Sequence, residues 1–346
     1  MSAAPRLVVF FARVGDLVML TPFLRACAVR GPVELLARPW ARPLLGRQPW
    51  LADIHTLAQP NAAGWKDWLA GGPRRQLGAQ LVARSYREVL TFADRPVVRR
   101  WIDGWRGAVP VRELTLTGFA SGTHTSDQFL AAGRAAGLVD DGDEPCPRLD
   151  VDADALATAQ ATVTGLGRRV VAIQAGSSLT NRFFRRRPNL KGLPPATWAA
   201  FAGGLLDQGR ADAVVLLGTA AERGEAQAII ASADPRHRPR LHDRTGAVPL
   251  GQLAAFLAAC SGCASVDTGP AHIAAAVGCP LLTVFGPSDP ALYAPRGTGP
   301  CALAVGSASC QFCLGTPAFK RCRDNICLRP VTAEVLLRAM PDPAPR

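Results

Sequence analysis

Short apolar runs alternate with longer segments of helical periodicity, and this alternation occurs twice along the chain. An apolar run at 7–12 precedes a helical pattern at 17–28 and a second apolar run at 33–37. The alternation starts again with a strand and turn at 169–176 and continues to a strand at 281–286. Strands that are apolar throughout are typical of parallel sheets covered by helices on both faces. We therefore predict an α/β protein built from two doubly wound halves.

The join between the halves is predicted at 140–154, a stretch rich in proline, glycine and acidic residues. We place the first domain at 1–155 and the second at 156–330. Residues 331–346 are assigned to a C-terminal helix and tail.

The composition of the chain limits the classes of protein to which it can belong. With 48% hydrophobic and 19% charged residues among 346, the chain can bury real cores and is not of the disordered class. It has no apolar stretch of bilayer-spanning length and no signal-peptide layout at its start, so we expect a cytoplasmic protein. The net charge of +12 is spread over both halves, which favours an anionic partner or a membrane surface and disfavours nucleic acid. A general preference for arginine explains the charge equally well.

Residues 267–290, DTGPAHIAAAVGCPLLTVFGPSDP, place a turn, a helix start, a histidine and a second turn close together. The turn follows a predicted strand at the sheet edge where doubly wound proteins bind ligands. The backbone N–H groups of Thr268, Gly269 and Ala271 are expected to point at an anion, assisted by the helix dipole. His272 is placed to reach a phosphate oxygen. The segment is therefore a candidate diphosphate cradle.

The structural alternative for this segment is simpler. Asp267 then only caps the helix, and His272 is a packing histidine. The combination of turn, helix start, histidine and second turn in one block favours the binding interpretation.

The same segment resembles the signature of glycosyltransferase family 9, the ADP-heptose heptosyltransferases of lipopolysaccharide core synthesis and their relatives. The residues that carry the resemblance are DTGPAHIAAAVGCP, LLTVFGPSDP and Pro295. RVGDLVMLTPFLRA (13–26) resembles the N-terminal motif of the family, and QAGSS (174–178) resembles its glycine loop. VVLLGTAAERGEA (214–226) and TGAVPLGQLAAFLAAC (245–260) resemble two later stretches.

The resemblance implies a GT-B architecture, in which two Rossmann-like doubly wound domains face each other across a cleft. The donor would be a nucleotide-sugar, ADP-heptose or a relative, bound mainly by the C-terminal domain. The acceptor would be a lipid-linked glycan at the inner face of the cytoplasmic membrane, so that the enzyme is peripheral there. The oligomeric state is left open.

The resemblance also suggests the catalytic residues. Asp16, after the first strand, matches the aspartate proposed to deprotonate the acceptor, and a role as only the N-cap of the next helix is the less favoured alternative. Lys191 in KGLP matches the lysine that meets the leaving diphosphate. Leu193 stands where the family has tryptophan, and the basic insert before Lys191 leaves residues 185–187, all arginine, as alternatives. No catalytic metal is expected, since cationic side chains and a helix N-terminus serve instead.

Donor binding is assigned to a further set of residues by the same resemblance. Glu222 matches the glutamate that contacts the ribose. The other members lie in the glycine turns and the signature: Gly15, Gly176, Ser177, Asp267, Thr268, Gly269 and His272.

Four of the ten cysteines, Cys310, Cys313, Cys322 and Cys327, have the spacing C-x2-C-x8-C-x4-C. Four thiolates spaced in this way fit a tetrahedral site for structural Zn or Fe. Reduced loop cysteines and a disulfide or redox role are the alternatives. The segment is expected to brace the C-terminal helix away from the sugar.

Three other functions are kept as alternatives. One is a protein O-heptosyltransferase with a metal finger, another a GT-B nucleotide-sugar epimerase, and the third a non-enzymatic nucleotide-binding scaffold.

Overall fold

The computed structural model describes residues 4–58, 72–92, 96–119, 121–177 and 189–343. The chain separates into two compact units, Met1–Asp150 and Val151–Arg346, and each is described by itself. The division falls inside the proline-rich and acidic stretch at 140–154.

The first unit is built on a parallel sheet. Its strands are β1 (Arg6–Val9), β2 (Val33–Ala37), β3 (Asp53–Thr56), β4 (Glu88–Thr91) and β5 (Val111–Glu113), in the order β3-β2-β1-β4-β5. The helices among the described residues are α1 (Val14–Val29), α2 (Ala41–Leu45), α3 (Gly72–Val82), α4 (Pro96–Asp103) and α5 (Thr125–Ala135). Strands β1, β2 and β4 are buried along their whole length. The apolar runs at 7–12 and 33–37 predict the burial of β1 and β2, whereas no strand is predicted at β4 from the sequence.

The start of α1 differs from the sequence prediction. A turn is predicted at 13–16 with Asp16 as the N-cap, but the helix begins at Val14 and Arg13 is its N-cap. Asp16 is the third helical residue, and its carboxylate accepts a hydrogen bond from the Arg13 backbone N–H at 3.0 Å. This is the return bond of a capping box, so Asp16 still stabilises the helix start, from inside the first turn.

The second unit holds a larger parallel sheet. Its strands are β6 (Val170–Gln174), β7 (Ala213–Leu216), β8 (Leu241–Asp243), β9 (Gly262–Val266), β10 (Leu281–Phe285) and β11 (Cys301–Val305), in the order β11-β10-β9-β6-β7-β8. The helices among its described residues are α6 (Ala153–Thr164), α7 (Pro195–Asp207), α8 (Arg223–Ser232), α9 (Leu250–Ala259), α10 (Gly269–Ala276), α11 (Pro290–Tyr293), α12 (Pro317–Arg321) and α13 (Ala333–Ala339). Short 3₁₀ helices cover Ala220–Glu222, Arg238–Arg240 and Ile326–Leu328.

The C-terminal helix α13 packs on α7 within the second unit. A Cβ on Gly204 of α7 would lie 2.5 Å from a methyl group of Leu337, so the glycine is what allows this close approach. Arg210 fixes the end of α13 by donating hydrogen bonds to the carbonyls of Leu337 (2.7 Å) and Met340 (2.6 Å). In the described part of the chain no helix combines the length and the apolar character needed to cross a bilayer.

Candidate functional site

In the sheet of the second unit, the order in which successive strands are added reverses between the neighbouring strands β6 and β9. This position is called the reversal point below. Strands β7 and β8 extend the sheet on the β6 side, and β10 and β11 extend it on the β9 side. In doubly wound sheets the crevice outside the carboxyl ends of two such strands is where ligands bind. Gly176 follows β6 and Asp267 follows β9, so these two predicted site residues flank the reversal point.

The helix α10 opens at this edge of the sheet. Thr268 is its N-cap, Gly269 and Pro270 lie in its first turn, and all three are partly exposed. No described residue accepts a hydrogen bond from the backbone N–H of Thr268 or of Gly269, which leaves these donors at the positive end of the helix dipole. The expectation for Ala271 was wrong, because its N–H donates to the Thr268 carbonyl at 3.1 Å.

Lys191 and Asp267 meet across the reversal point. The Lys191 ammonium lies 2.5 Å from Asp267 Oδ2 and 3.1 Å from the Asp267 carbonyl oxygen. His272 Nε2 lies 4.0 Å from the other carboxylate oxygen, and all three side chains are buried. Burial alone would raise the pKa of Asp267, but the charges of Lys191 and His272 outweigh it and hold that pKa below its usual value. An ammonium group has three donors, and Asp267 takes two of those of Lys191.

A second group of predicted residues gathers beside β7. Glu222 is buried, and its Oε2 accepts hydrogen bonds from the Thr219 N–H (2.7 Å) and hydroxyl (2.8 Å). A Cβ on Gly176 would lie 2.3 Å from the other carboxylate oxygen of Glu222, so a larger residue there would displace this carboxylate. Glu222 therefore caps a 3₁₀ helix with one oxygen and faces the Gly176 backbone with the other.

Asn189 links these two groups and was not singled out from the sequence. Its Oδ1 accepts a hydrogen bond from the Ser177 hydroxyl at 3.1 Å, and its Nδ2 donates to Glu225 at 3.2 Å. Asn189 also begins the turn that carries Lys191, since the Gly192 N–H donates to the Asn189 carbonyl at 3.0 Å. The signal available in the sequence was its position in PNLKG, directly before the lysine motif.

The remaining predicted residues lie elsewhere or outside the described ranges. Gly15 and Asp16 belong to the first unit, at the start of α1 after β1, where Gly15 is buried and Asp16 is half-buried. The arginine alternatives at 185–187 lie outside the described residues. Leu193 is buried in the apolar core of the second unit, so a leucine in the family's tryptophan position still serves packing.

The four cysteines of the predicted metal site lie near one another but do not form that site. The three other thiols all influence the pKa of Cys327, which burial, the larger effect, already raises. No group of three or more His, Cys, Asp or Glu side chains among the described residues is arranged to hold a metal ion. All four cysteines are free of disulfides. The residues as placed therefore do not fit the predicted Zn or Fe.

Comparisons with known proteins give a consistent result. Residues 128–319, more than half of the chain, match glycosyltransferase family 9 (heptosyltransferase). Lipopolysaccharide heptosyltransferase 2 of Escherichia coli K12 is 24% identical over 299 residues, which cover 80% of this chain and 81% of the relative.

Solved structures show the same likeness in three dimensions. The glycosyl transferase family 9 structure from Veillonella parvula DSM 2008 gives a TM-score of 0.80 at 15% identity, with 98% of this chain and 96% of that chain covered. The E. coli ADP-heptose lps heptosyltransferase II gives 0.75 at 19% identity, covering 98% and 97%. The predicted α/β fold of GT-B type, with two Rossmann-like sheets, is confirmed.

Proposed function

The chain belongs to glycosyltransferase family 9, and from this premise we propose that it transfers a heptose, or a related sugar, from an ADP-activated donor to an acceptor glycan with inversion. We further propose that the acceptor is a lipopolysaccharide core or related lipid-linked glycan, met at the inner face of the cytoplasmic membrane. Family membership makes the protein a glycosyltransferase and disfavours the epimerase and scaffold alternatives.

The observation that carries this proposal is the Lys191 ammonium at the reversal point of the second sheet, beside the open N-terminus of α10. Transfer of a sugar from a nucleoside diphosphate leaves negative charge on the diphosphate, and donors already fixed in place stabilise that charge best. The Lys191 donor that Asp267 does not take, together with the N–H groups of Thr268 and Gly269, supplies such donors. His272 completes the set on the same helix.

The proposed nucleotide is ADP, with the heptose as the sugar. One relative supports it, because the E. coli lipopolysaccharide heptosyltransferase 2 matched by sequence is described, as a solved structure, as an ADP-heptose lps heptosyltransferase II. In this chain the ribose would lie by Glu222 and the Gly176–Ser177 turn, where a Cβ on Gly176 would collide with the Glu222 carboxylate. A ribose hydroxyl can donate to the Glu222 oxygen that faces this turn.

On the acceptor side we propose that Asp16 takes the proton from the attacking hydroxyl. Its carboxylate lies in the first turn of α1, directly after β1, and a carboxylate is a suitable general base for an acceptor hydroxyl. Gly15, the buried residue directly before Asp16, would allow the start of α1 to lie close to the carboxyl end of β1.

The test is a transfer assay with defined donors and acceptors. Purified protein is incubated with ADP-heptose and with lipopolysaccharide truncated before its first or second heptose. ADP release is then measured together with the mass of the glycan. We expect ADP release that depends on the acceptor, and a glycan heavier by one heptose.

Donor and acceptor controls separate the parts of the proposal. A UDP-hexose in place of ADP-heptose should give no product, and an unglycosylated autotransporter-type protein should not replace the glycan acceptor. Transfer to the protein alone would favour the O-heptosyltransferase alternative. Absence of ADP release with every acceptor would contradict the proposed donor.

A further inference from the structure

Residues 306–329, here called the cysteine segment, turn back onto the donor side of the second unit. The Leu314 N–H donates to the Pro287 carbonyl at 2.8 Å, in the turn after β10. The Leu328 side chain packs on Gly286, where a Cβ would lie 2.9 Å from Leu328 Cγ. The sequence had suggested that this segment braces the C-terminal helix, but these contacts join it to the second turn of the signature.

Asn325 makes the most specific of these contacts. Its Nδ2 donates to the Gly192 carbonyl at 2.7 Å and to the Asn189 carbonyl at 3.3 Å. These two carbonyls lie on either side of Lys191 in the chain. One side-chain amide from the cysteine segment thus holds both ends of the turn that carries the lysine.

The Lys191 turn is anchored on its other side by Asn189. The Asn189 side chain accepts from the Lys191 N–H at 3.3 Å and donates to the Ala175 carbonyl at 3.2 Å, directly after β6. Asn189 therefore fixes the turn to the sheet, while Asn325 fixes it to the cysteine segment. Among the described residues, Nδ2 of Asn325 donates to these two carbonyls, and its side chain makes no capping bond to its own 3₁₀ helix.

We propose that Asn325 is a positioning residue for Lys191. It holds the turn so that the ammonium stays against Asp267 with its third donor directed to the leaving diphosphate. The catalytic consequence rests on the proposed role of Lys191, whereas the positioning itself does not. Loss of two hydrogen bonds of ordinary strength corresponds to roughly a 5- to 150-fold loss in turnover if both are needed only for alignment.

Replacement of Asn325 by aspartate isolates the donor function. Aspartate has the same size and is as good a residue before a helix, but it has no N–H to give to the two carbonyls. Asn325→Asp should therefore be at least as damaging as Asn325→Ala. A residue that mattered only for packing would tolerate aspartate better than alanine. Asp324→Asn is the matched control, since Asp324 is exposed in the same segment and pairs with Arg329.

The first readout does not depend on activity. The chain has three lysines, Lys66, Lys191 and Lys320, so acylation of each by acetic anhydride can be followed by peptide mass spectrometry. Lys191 is buried in its ion pair and Lys320 is exposed, which makes Lys320 the internal reference. Asn325→Asp and Asn325→Ala should raise the labelling of Lys191 relative to Lys320 several-fold. Asp324→Asn should leave the ratio at the wild-type value.

The second readout is kinetic. Asn325→Asp should lower kcat for transfer and leave the KM of the acceptor nearly unchanged. In a Lys191→Met background the same change should have little further effect, because residues that act through one another are not additive. Additive losses in the double variant would overturn the proposal.

The two proposals fail in different ways. An unchanged Lys191 to Lys320 labelling ratio in both folded Asn325 variants overturns the positioning role, whatever the transfer assay shows. A raised ratio in a protein that transfers no sugar from ADP-heptose supports positioning and contradicts the proposed reaction. If Asn325→Asp does not fold, as judged by its thermal unfolding, Asn325→Ala decides the result.

Discussion

Lys191 Nζ and Asp267 Oδ2 lie 2.5 Å apart, and each side chain is about nine-tenths buried. One residue comes from the loop after β6 and the other from the end of β9, 76 positions later. Because each side chain is largely shielded from solvent, replacing one residue leaves the other without its ion-pair partner, and the two behave as one unit. Asp267 therefore contributes to the site by holding Lys191, and its role as a direct ligand of the donor stays a prediction.

Replacing only one residue of this ion pair should lower the free energy of unfolding more than replacing both. Lys191→Met or Asp267→Leu alone leaves an unpaired buried charge, which typically costs about 3–5 kcal/mol in the free energy of unfolding. The double variant Lys191→Met/Asp267→Leu should recover most of that loss, although it should not bind ADP well. Urea unfolding of the four proteins measures this. Single-variant losses that simply add in the double variant would contradict a coupled buried pair.

Asp16→Asn tests the proposed base. The asparagine oxygen can still accept the Arg13 N–H, so the start of α1 should stay intact and thermal unfolding should change little. Turnover should fall on the order of 10²-fold or more, because a general base contributes about that much. ADP affinity, measured by calorimetry, should remain close to wild type. A normal rate would leave Asp16 with its capping role alone.

The sequence was sufficient where the determining interactions are local. The apolar runs predicted β2 and β6 within a residue or two, and the DTGP turn predicted the opening of α10. It failed at the start of α1, because Arg13 is not a typical N-cap residue and the capping box is visible only as geometry.

The interactions that hold the site together were beyond sequence reasoning. Asn325 and Gly192 are 133 positions apart, and no periodicity or spacing relates such residues. The cysteine spacing suggested a metal, but spacing along the chain does not fix where the thiols point. Lys191 was found through a resemblance, and its pairing with Asp267 required the topology of the sheet.

Glu225 should make stability depend on pH through its raised pKa. Burial is the main cause, a hydrogen bond from Asn189 opposes it, and the charge of Glu222 adds to it. A carboxyl with a raised folded-state pKa destabilises the fold when ionised, and this penalty vanishes below its ordinary pKa of 4.5. Glu225→Gln should therefore raise the thermal unfolding midpoint at pH 7 and have no effect near pH 4.

Glu334→Gln is the control of opposite sign. Hydrogen bonds with Thr332 and with its own backbone lower the pKa of Glu334 at the start of α13. Its stabilisation is present above its ordinary pKa and is lost as the pH falls through the folded-state value, so this variant should lower the midpoint at pH 7. If the two variants shift the thermal unfolding midpoint by the same amount at every pH, the pKa directions assigned to Glu225 and Glu334 are both wrong.

The cysteines should differ in reactivity according to their burial. Cys310 is exposed, and Cys313 and Cys322 are half-buried. Cys27 and Cys263 are buried, and burial raises the pKa of Cys27 to about 12 and raises that of Cys263 as well. Since the thiolate is the reactive form, a thiol reagent at pH 8 should modify Cys310 within the first phase and Cys27 and Cys263 only after unfolding. Mass spectrometry of the peptides identifies each site. Protection of Cys310, Cys313, Cys322 and Cys327 together, released by a chelator, would contradict the arrangement of free thiols and restore the predicted metal site.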